Sequence, residues 1–228
     1  MSSVEAAAKI HPFQRRWATV LAEVTEHLPY TIASSAVGMT LVGLLTGLAH
    51  LAQRQAMLTA IAGDFFHLFH PLHLLFSAIT TTAMFWRHDR RFGRALLVGF
   101  FGTVIPCGLS DYYFPYLGGQ LLNTPMELHV CLFDHPLLIV PFIVGGMAAG
   151  FLAAERVERS TFFSHAAHVF VSSMASLLYL VSFGLTHWMS SIGLVFVIVV
   201  LAVWIPCCLS DIVIPLLSAA PAAHHHDH

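Results

Sequence analysis

The chain has 228 residues, 57% hydrophobic and 10% charged, with a formal net charge of −2 and a mean hydropathy of +0.76. Soluble domains carry about a quarter charged residues, so composition excludes an ordinary soluble enzyme, and ten Lys and Arg in all leave no basic surface for nucleic acid. Four Cys, three of them inside apolar runs (Cys107, Cys207, Cys208), do not make a secreted disulfide framework, whereas sixteen His are far more than so apolar a chain needs.

Residues 1–26 read as a cytoplasmic segment. Phe13, Trp17, Leu21 and Val24 recur at near-helical spacing beside Arg15 and Arg16, which predicts an amphipathic helix lying on the membrane surface. No long uncharged run or cleavage site follows Lys9, so no removable signal peptide is expected. Apolar runs near 28–50, 66–86 and 95–117 predict three crossings within residues 27–118, with an earlier start of the second, as a lipid-surface stretch from about Met57, left open. An extracytoplasmic loop (119–133) separates these from a second set within 134–218, with runs near 135–154, 162–187 and 190–217. Residues 219–228 form a His-rich tail. The fold class expected is all-α, a polytopic membrane protein with six transmembrane helices. Lys9, Arg15, Arg16, the four Arg of the 87–94 loop, Arg156 and Arg159 then fall on one side and Arg54 alone on the other. That asymmetry places both termini in the cytoplasm and the chain in a cytoplasmic membrane.

The two sets echo each other. Ile105-Pro106-Cys107-Gly108-Leu109-Ser110-Asp111, with Pro115, recurs as Ile205-Pro206-Cys207-Cys208-Leu209-Ser210-Asp211, with Pro215. His70-x-x-His73 with Ser77 recurs as His165-x-x-His168 with Ser172, and Glu26-His27 pairs with Asp134-His135. Three spans per copy is an odd number, so the second copy enters the membrane from the opposite side. Two inverted three-helix repeats are an architecture of secondary transporters. Pro106, Pro115, Pro206 and Pro215 remove backbone donors and free carbonyls toward a partner or a cavity.

Counting depth from the span starts, the spacing predicts two clusters of N, O and S donors. An outer one has His70, His73, Asp111, His135 and Cys107, with Asp64, His67, Glu127, His129 and Cys131 on the same side. An inner one has His27, His165, His168, Asp211 and Cys207. Ionisable groups within a span are functional candidates, and this donor set suits Zn, Mn, Fe, Ni or Co. The reading is a carrier of a divalent transition metal, in which each His-x-x-His offers two imidazoles and an Asp completes the shell. Deprotonation on metal uptake makes proton coupling a corollary. Ser77 and Ser172 are expected one turn below the lower His, as its hydrogen-bond partners. Simpler roles stay open: interhelical hydrogen bonding for the His pairs, capping for Asp111, and apolar packing for the Cys. Two other classes stay open too. His67, His70 and His73 resemble the His boxes of membrane di-iron hydroxylases, and paired His on two spans could ligate haem. Beyond lipid, metal ions and protons, the small size of a six-helix carrier makes a homodimer a natural partner.

The Glu-His of the first span, Pro106-Cys107-Gly108 and the two Ser-Asp-x-x-x-Pro elements (Ser110 to Pro115, Ser210 to Pro215) resemble motifs of a bacterial family of manganese and heavy-metal exporters, longer multi-span proteins. The match covers about a quarter of the chain. The resemblance implies metal transport.

Overall fold

In a computed structural model, the described residues are 12–154 and 161–218, without the side chains of 12–20, 22, 23, 55, 56, 161–165 and 216. Every described element is helical: α1 (Pro12–Leu51), α2 (Gln55–His88), α3 (Phe92–Gly108), α4 (Phe114–Leu121), α5 (Cys131–Asp134), α6 (Pro136–Ala153), α7 (Thr161–Ser182), α8 (Ile192–Cys208) and α9 (Ile214–Ser218). Single π-helical turns, Leu109–Tyr113 and Leu209–Val213, join α3 to α4 and α8 to α9. Five segments are long and apolar enough to cross a membrane: Val24–Leu51, Met57–His88, Phe92–Leu121, Pro136–Ala153 and Trp188–Val213. The expected crossing at 162–187 corresponds to a shorter apolar helix, Ala166–Ser182.

Helix α1 carries the expected surface helix and the first apolar stretch, Val24–Leu51, without a break through Pro29, for 40 residues. At 1.5 Å per residue this is about 60 Å, roughly twice a bilayer core. Helix α2 starts at Gln55 and its apolar stretch at Met57, so the stretch expected to precede the run at 66 is part of the same helix. This earlier start matters below.

The bundle is apolar outside, and its interior sets small hydroxylic side chains among the buried apolar ones. Leu44, Leu48, Leu97, Leu137, Leu152 and Leu194 are each at least 60% exposed. Thr31, Ser35, Ser77, Thr81, Thr103, Ser110, Ser172, Ser176 and Ser210 are at most 1% exposed. Water would invert this distribution; it suits a hydrocarbon surround, where small and hydroxylic residues mediate helix contact. Gly146 and Gly150 let α6 lie directly on α2: a Cβ at either would come within 2.6–2.7 Å of the Leu75 or Ile79 carbonyl oxygen.

Contact registers fix the helix directions. Phe66 meets Tyr179 and His73 meets His168, while Ser182 reaches the Thr59 carbonyl; rising numbers on α2 pair with falling numbers on α7, so these central helices are antiparallel. Gly102 adjoins Ile214 and Gly118 adjoins Ile198, so the α3–α4 and α8–α9 segments are antiparallel too. Helix α1 runs parallel to α7 (Ser35 with Ser173, Gly38 with Met174), just as α6 runs parallel to α2 (Gly146 with Leu75, Trp86 with Phe151).

Candidate metal centre

The two Ser-Asp elements are built alike. Across each π-turn the Phe114 N–H bonds to the Leu109 carbonyl and the Ile214 N–H to the Leu209 carbonyl. The next donor in that i→i−5 ladder would belong to Pro115 or Pro215, which have none. The Ser110 and Ser210 carbonyls are thereby released. Ser176 Oγ on α7 donates to the Ser110 carbonyl (2.9 Å), and Thr81 Oγ1 on α2 donates to the Ser210 carbonyl (3.1 Å). The hydroxyls repeat the exchange, Ser110 with Ser172 at 2.7 Å and Ser77 with Ser210 at 2.5 Å. Each broken segment is thus completed by a helix from the other half of the sequence. Ser77 and Ser172 were expected on the imidazoles; they bond across the halves instead, because the Ser-Asp hydroxyls stand closer. Ser172 also reaches Asp111 Oδ1 at 3.2 Å.

The same turns bring Cys107, Ser110 and Asp111 to one buried face, and Cys207, Ser210 and Asp211 to another. The Asp111 carboxylate takes no helix cap. It accepts from His70 Nδ1 at 2.7 Å and from His73 Nδ1 at 2.7 and 2.8 Å. Asp211 Oδ2 stands 2.7 Å from His168 Nδ1. With both Nδ1 atoms turned to carboxylates, the Nε2 atoms of His73 and His168 face each other at 2.7 Å. Cys107 Sγ and Cys207 Sγ each lie 3.7 Å from His73 Nε2. The donor atoms of His73, His168 and Cys207 all fall within 4.8 Å of one another. All of these residues are at most 3% exposed.

His70 and His73 of the expected outer cluster and His168 of the expected inner one therefore meet in one site. The physical reason is the start of α2: counted from 55 rather than 66, His73 sits in the middle of its helix, where it meets His168, about a third of the way along the antiparallel α7. Each Ser-Asp element does lie against the His of its own half, as the spacing required. The carboxylates stand on the Nδ1 side, behind the imidazoles, where they orient Nε2.

His135, grouped by sequence with His70 and His73, stands elsewhere. It joins His67 and His129 in a second cluster whose donor atoms also lie within 4.8 Å of one another. His27 is buried on α1, and neither metal-capable group among the described residues includes it. The His165 side chain and the His-rich tail lie outside the described residues. Cys131 is buried, and burial, with the charges of Asp111 and Asp134 adding, pushes its thiol up to about 12; it is a packing residue. Burial lowers the pKa of His129, reinforced by the neighbouring His67 and His135 and opposed by Asp134.

Zn–N bonds of about 2.0–2.1 Å and Zn–S bonds of about 2.3 Å give tetrahedral edges of ~3.3 Å between nitrogens and ~3.6 Å between N and S. Cys207 Sγ stands near that N–S edge from His73 Nε2 at 3.7 Å, whereas Cys107 approaches His73 alone and would have to move to join His168 and Cys207 around one ion. The two rings must separate by ~0.6 Å to admit an ion, because at 2.7 Å the Nε2 atoms are at hydrogen-bond distance, with one proton between them.

No protein-family model, curated protein or solved structure compared with the chain matches it.

Proposed function

We propose that the chain is a membrane carrier for a divalent transition-metal cation, and not an enzyme, with His73, His168, Cys207 and Cys107 as the ligands and Asp111 and Asp211 as the groups that orient them. Zn, Mn, Fe, Ni and Co remain the candidate cargoes, the sulfur donors favouring the softer of them. The observation that carries the reading is the 2.7 Å approach of two buried imidazole nitrogens from antiparallel helices, each ring backed by its own carboxylate, with thiols alongside.

In this reading the chain crosses a cytoplasmic membrane six times, both ends inside, as two inverted three-helix repeats that meet at the ion. The antiparallel pairing of α2 with α7, the matching parallel pairs α1–α7 and α2–α6, and the reciprocal Ser and Thr bonds support that architecture. Alternating access needs two halves that rock about a shared site; a site with one His, one Cys and one Asp from each half meets this need. Proton exchange follows from the ligands: the cation would take the position that a proton holds between the Nε2 atoms, so loading releases it. Nothing in the geometry favours the haem reading, since 2.7 Å between the two nitrogens leaves no room for a macrocycle. A hydroxylase needs a substrate cleft at its metals, and these groups are 0–3% exposed. A homodimer is compatible with the broad apolar exterior.

Purified protein in liposomes, with a metal-sensitive dye and a pH dye inside, tests the proposal. Cation influx with opposite proton movement is expected, lost in His73→Ala/His168→Ala. Influx that survives the double variant, or cation held without movement, overturns it.

A further inference from the structure

We propose that His67, His129 and His135 form a second metal site, open to the aqueous phase, that captures the cation before it reaches the buried centre. The site itself stands on its own geometry; its role as a capture step rests on the carrier reading.

Three separate stretches of chain supply the rings: α2, the loop after α4, and the start of α6. His67 Nδ1 donates to the Gly63 carbonyl (2.8 Å), and His129 Nδ1 is paired with Asp134 Oδ2 (2.9 Å). Both outer nitrogens being engaged, the two Nε2 atoms are turned toward each other, 3.1 Å apart. The His135 ring lies 5.0 Å from His67 and 5.6 Å from His129, centroid to centroid. This repeats the logic of the central site, in which a carboxylate or carbonyl behind each ring fixes which nitrogen faces the ion.

The loop that carries His129 is held in place. Tyr179 Oη donates to the Glu127 carbonyl (2.7 Å) and accepts from the His129 N–H (3.2 Å), and the Glu127 N–H bonds to the Phe183 carbonyl (2.9 Å). The His129 ring stacks on Phe183 at 4.9 Å. A mobile tether would not present a ring this way.

In contrast to the central residues, His67 and His129 are half-buried and His135 is exposed. Three imidazoles with a fourth position open to water suit Zn, Co or Ni and discriminate against Mg and Ca, which require oxygen donors. The cluster is also aimed inward. His67, His70 and His73 descend one helix at three-residue steps, about 9 Å in all. Phe66, fully buried, contacts the rings of His67 and His129 and stacks on His70 at 5.4 Å. His70 in turn shares Asp111 with His73. A cation leaving the outer imidazoles meets His70 next, once Phe66 swings aside.

The test uses full-length protein in which the tail residues His224, His225, His226 and His228 are changed to Ala, so that the tail cannot bind metal. Titration with Co²⁺ alone reads both sites, because thiolate ligation adds a sulfur-to-cobalt charge-transfer band that imidazoles do not. His129→Ala/His135→Ala should bind one ion fewer per chain and keep that band; Cys107→Ser/Cys207→Ser should lose the band and keep the outer ion. In liposomes the His129→Ala/His135→Ala variant should raise the KM for cation about tenfold or more with little change in kcat, the mark of lost ground-state capture. Asp134→Asn, which leaves all three rings in place, should weaken the outer ion about tenfold. Unchanged Co²⁺ stoichiometry in His129→Ala/His135→Ala overturns the site, and lost stoichiometry with unchanged KM overturns the capture role. If the outer ion disappears in that variant but no charge-transfer band is seen in any form of the protein, the outer site stands and the central one falls.

Discussion

Asp111→Asn tests the division between ligands and orienting groups. The carboxylate receives three donors, His70 Nδ1, His73 Nδ1 and Ser172 Oγ, on two oxygens. An isosteric amide offers one acceptor oxygen and turns an NH₂ toward one of those donors. The ring that meets the NH₂ must present a lone pair at Nδ1, which moves its proton to Nε2; on His73 that proton points at the ion. Loss of a hydrogen bond to a charged group costs about 1.5–3 kcal/mol, and loss of an orienting partner behind a metal-bound His typically costs 10–100-fold in affinity, or about 1.4–2.8 kcal/mol. The two routes agree near 2 kcal/mol, a ~30-fold weaker site. Competition of Zn²⁺ between the protein and a chelating dye measures this, with helicity and gel filtration as checks on folding. Affinity within threefold of wild type would refute the orienting role. Complete loss, matching His73→Ala, would make Asp111 a direct ligand, as the sequence alone suggests.

Single changes at the thiols separate their contributions: Cys207→Ser should weaken Co²⁺ binding and diminish the charge-transfer band more than Cys107→Ser, since Cys207 is the thiol close to both imidazoles. Equal effects would mean that both sulfurs bind alike. Gly150→Ala should lower the thermal midpoint, because its Cβ would lie 2.7 Å from the Ile79 carbonyl oxygen and overpacking costs about 1–3 kcal/mol. Gly47→Ala, where a Cβ meets nothing within 4 Å, should leave it unchanged or raise it by up to ~1 kcal/mol of stability; a reversed order would contradict the α2–α6 packing. Ser176→Ala and Thr81→Val strip the freed Ser110 and Ser210 carbonyls of their donors and should each cost about 0.6–1.7 kcal/mol, read by denaturation in detergent.

The chemistry of the centre was legible before its shape. His70, His73, Asp111, His168, Asp211, Cys107 and Cys207 all stand in the duplicated motifs, and they converge on one place. That they form one site was hidden, because depth was counted from the first strongly apolar residue of each span, whereas α2 begins eleven residues earlier, in a stretch whose apolar character is weak. The sequence puts His67, His129 and His135 on one side but not in one cluster apart from His70 and His73: its members lie far apart in the chain, and a loop histidine such as His129 has no periodicity to show which way it faces. The completing hydroxyls carried a readable signal. A Pro five residues after Ser110, and again after Ser210, names the carbonyl that a π-turn leaves without a donor. Thr81 and Ser176 are the hydroxyls eight residues beyond His73 and His168, two turns along the same helix face.

The exchange of hydroxyls between the first three helices and the last three limits how the chain can be assembled. A nascent chain holding only α1 to α4 has made the Ser110 carbonyl available but not yet Ser176, and would present an unanswered backbone dipole to lipid. The Ser110 carbonyl gains its donor only once α7 is in place. A fragment ending at the central loop should persist only when the missing half is supplied alongside it, or when a second copy of itself lends Thr81 to the open position.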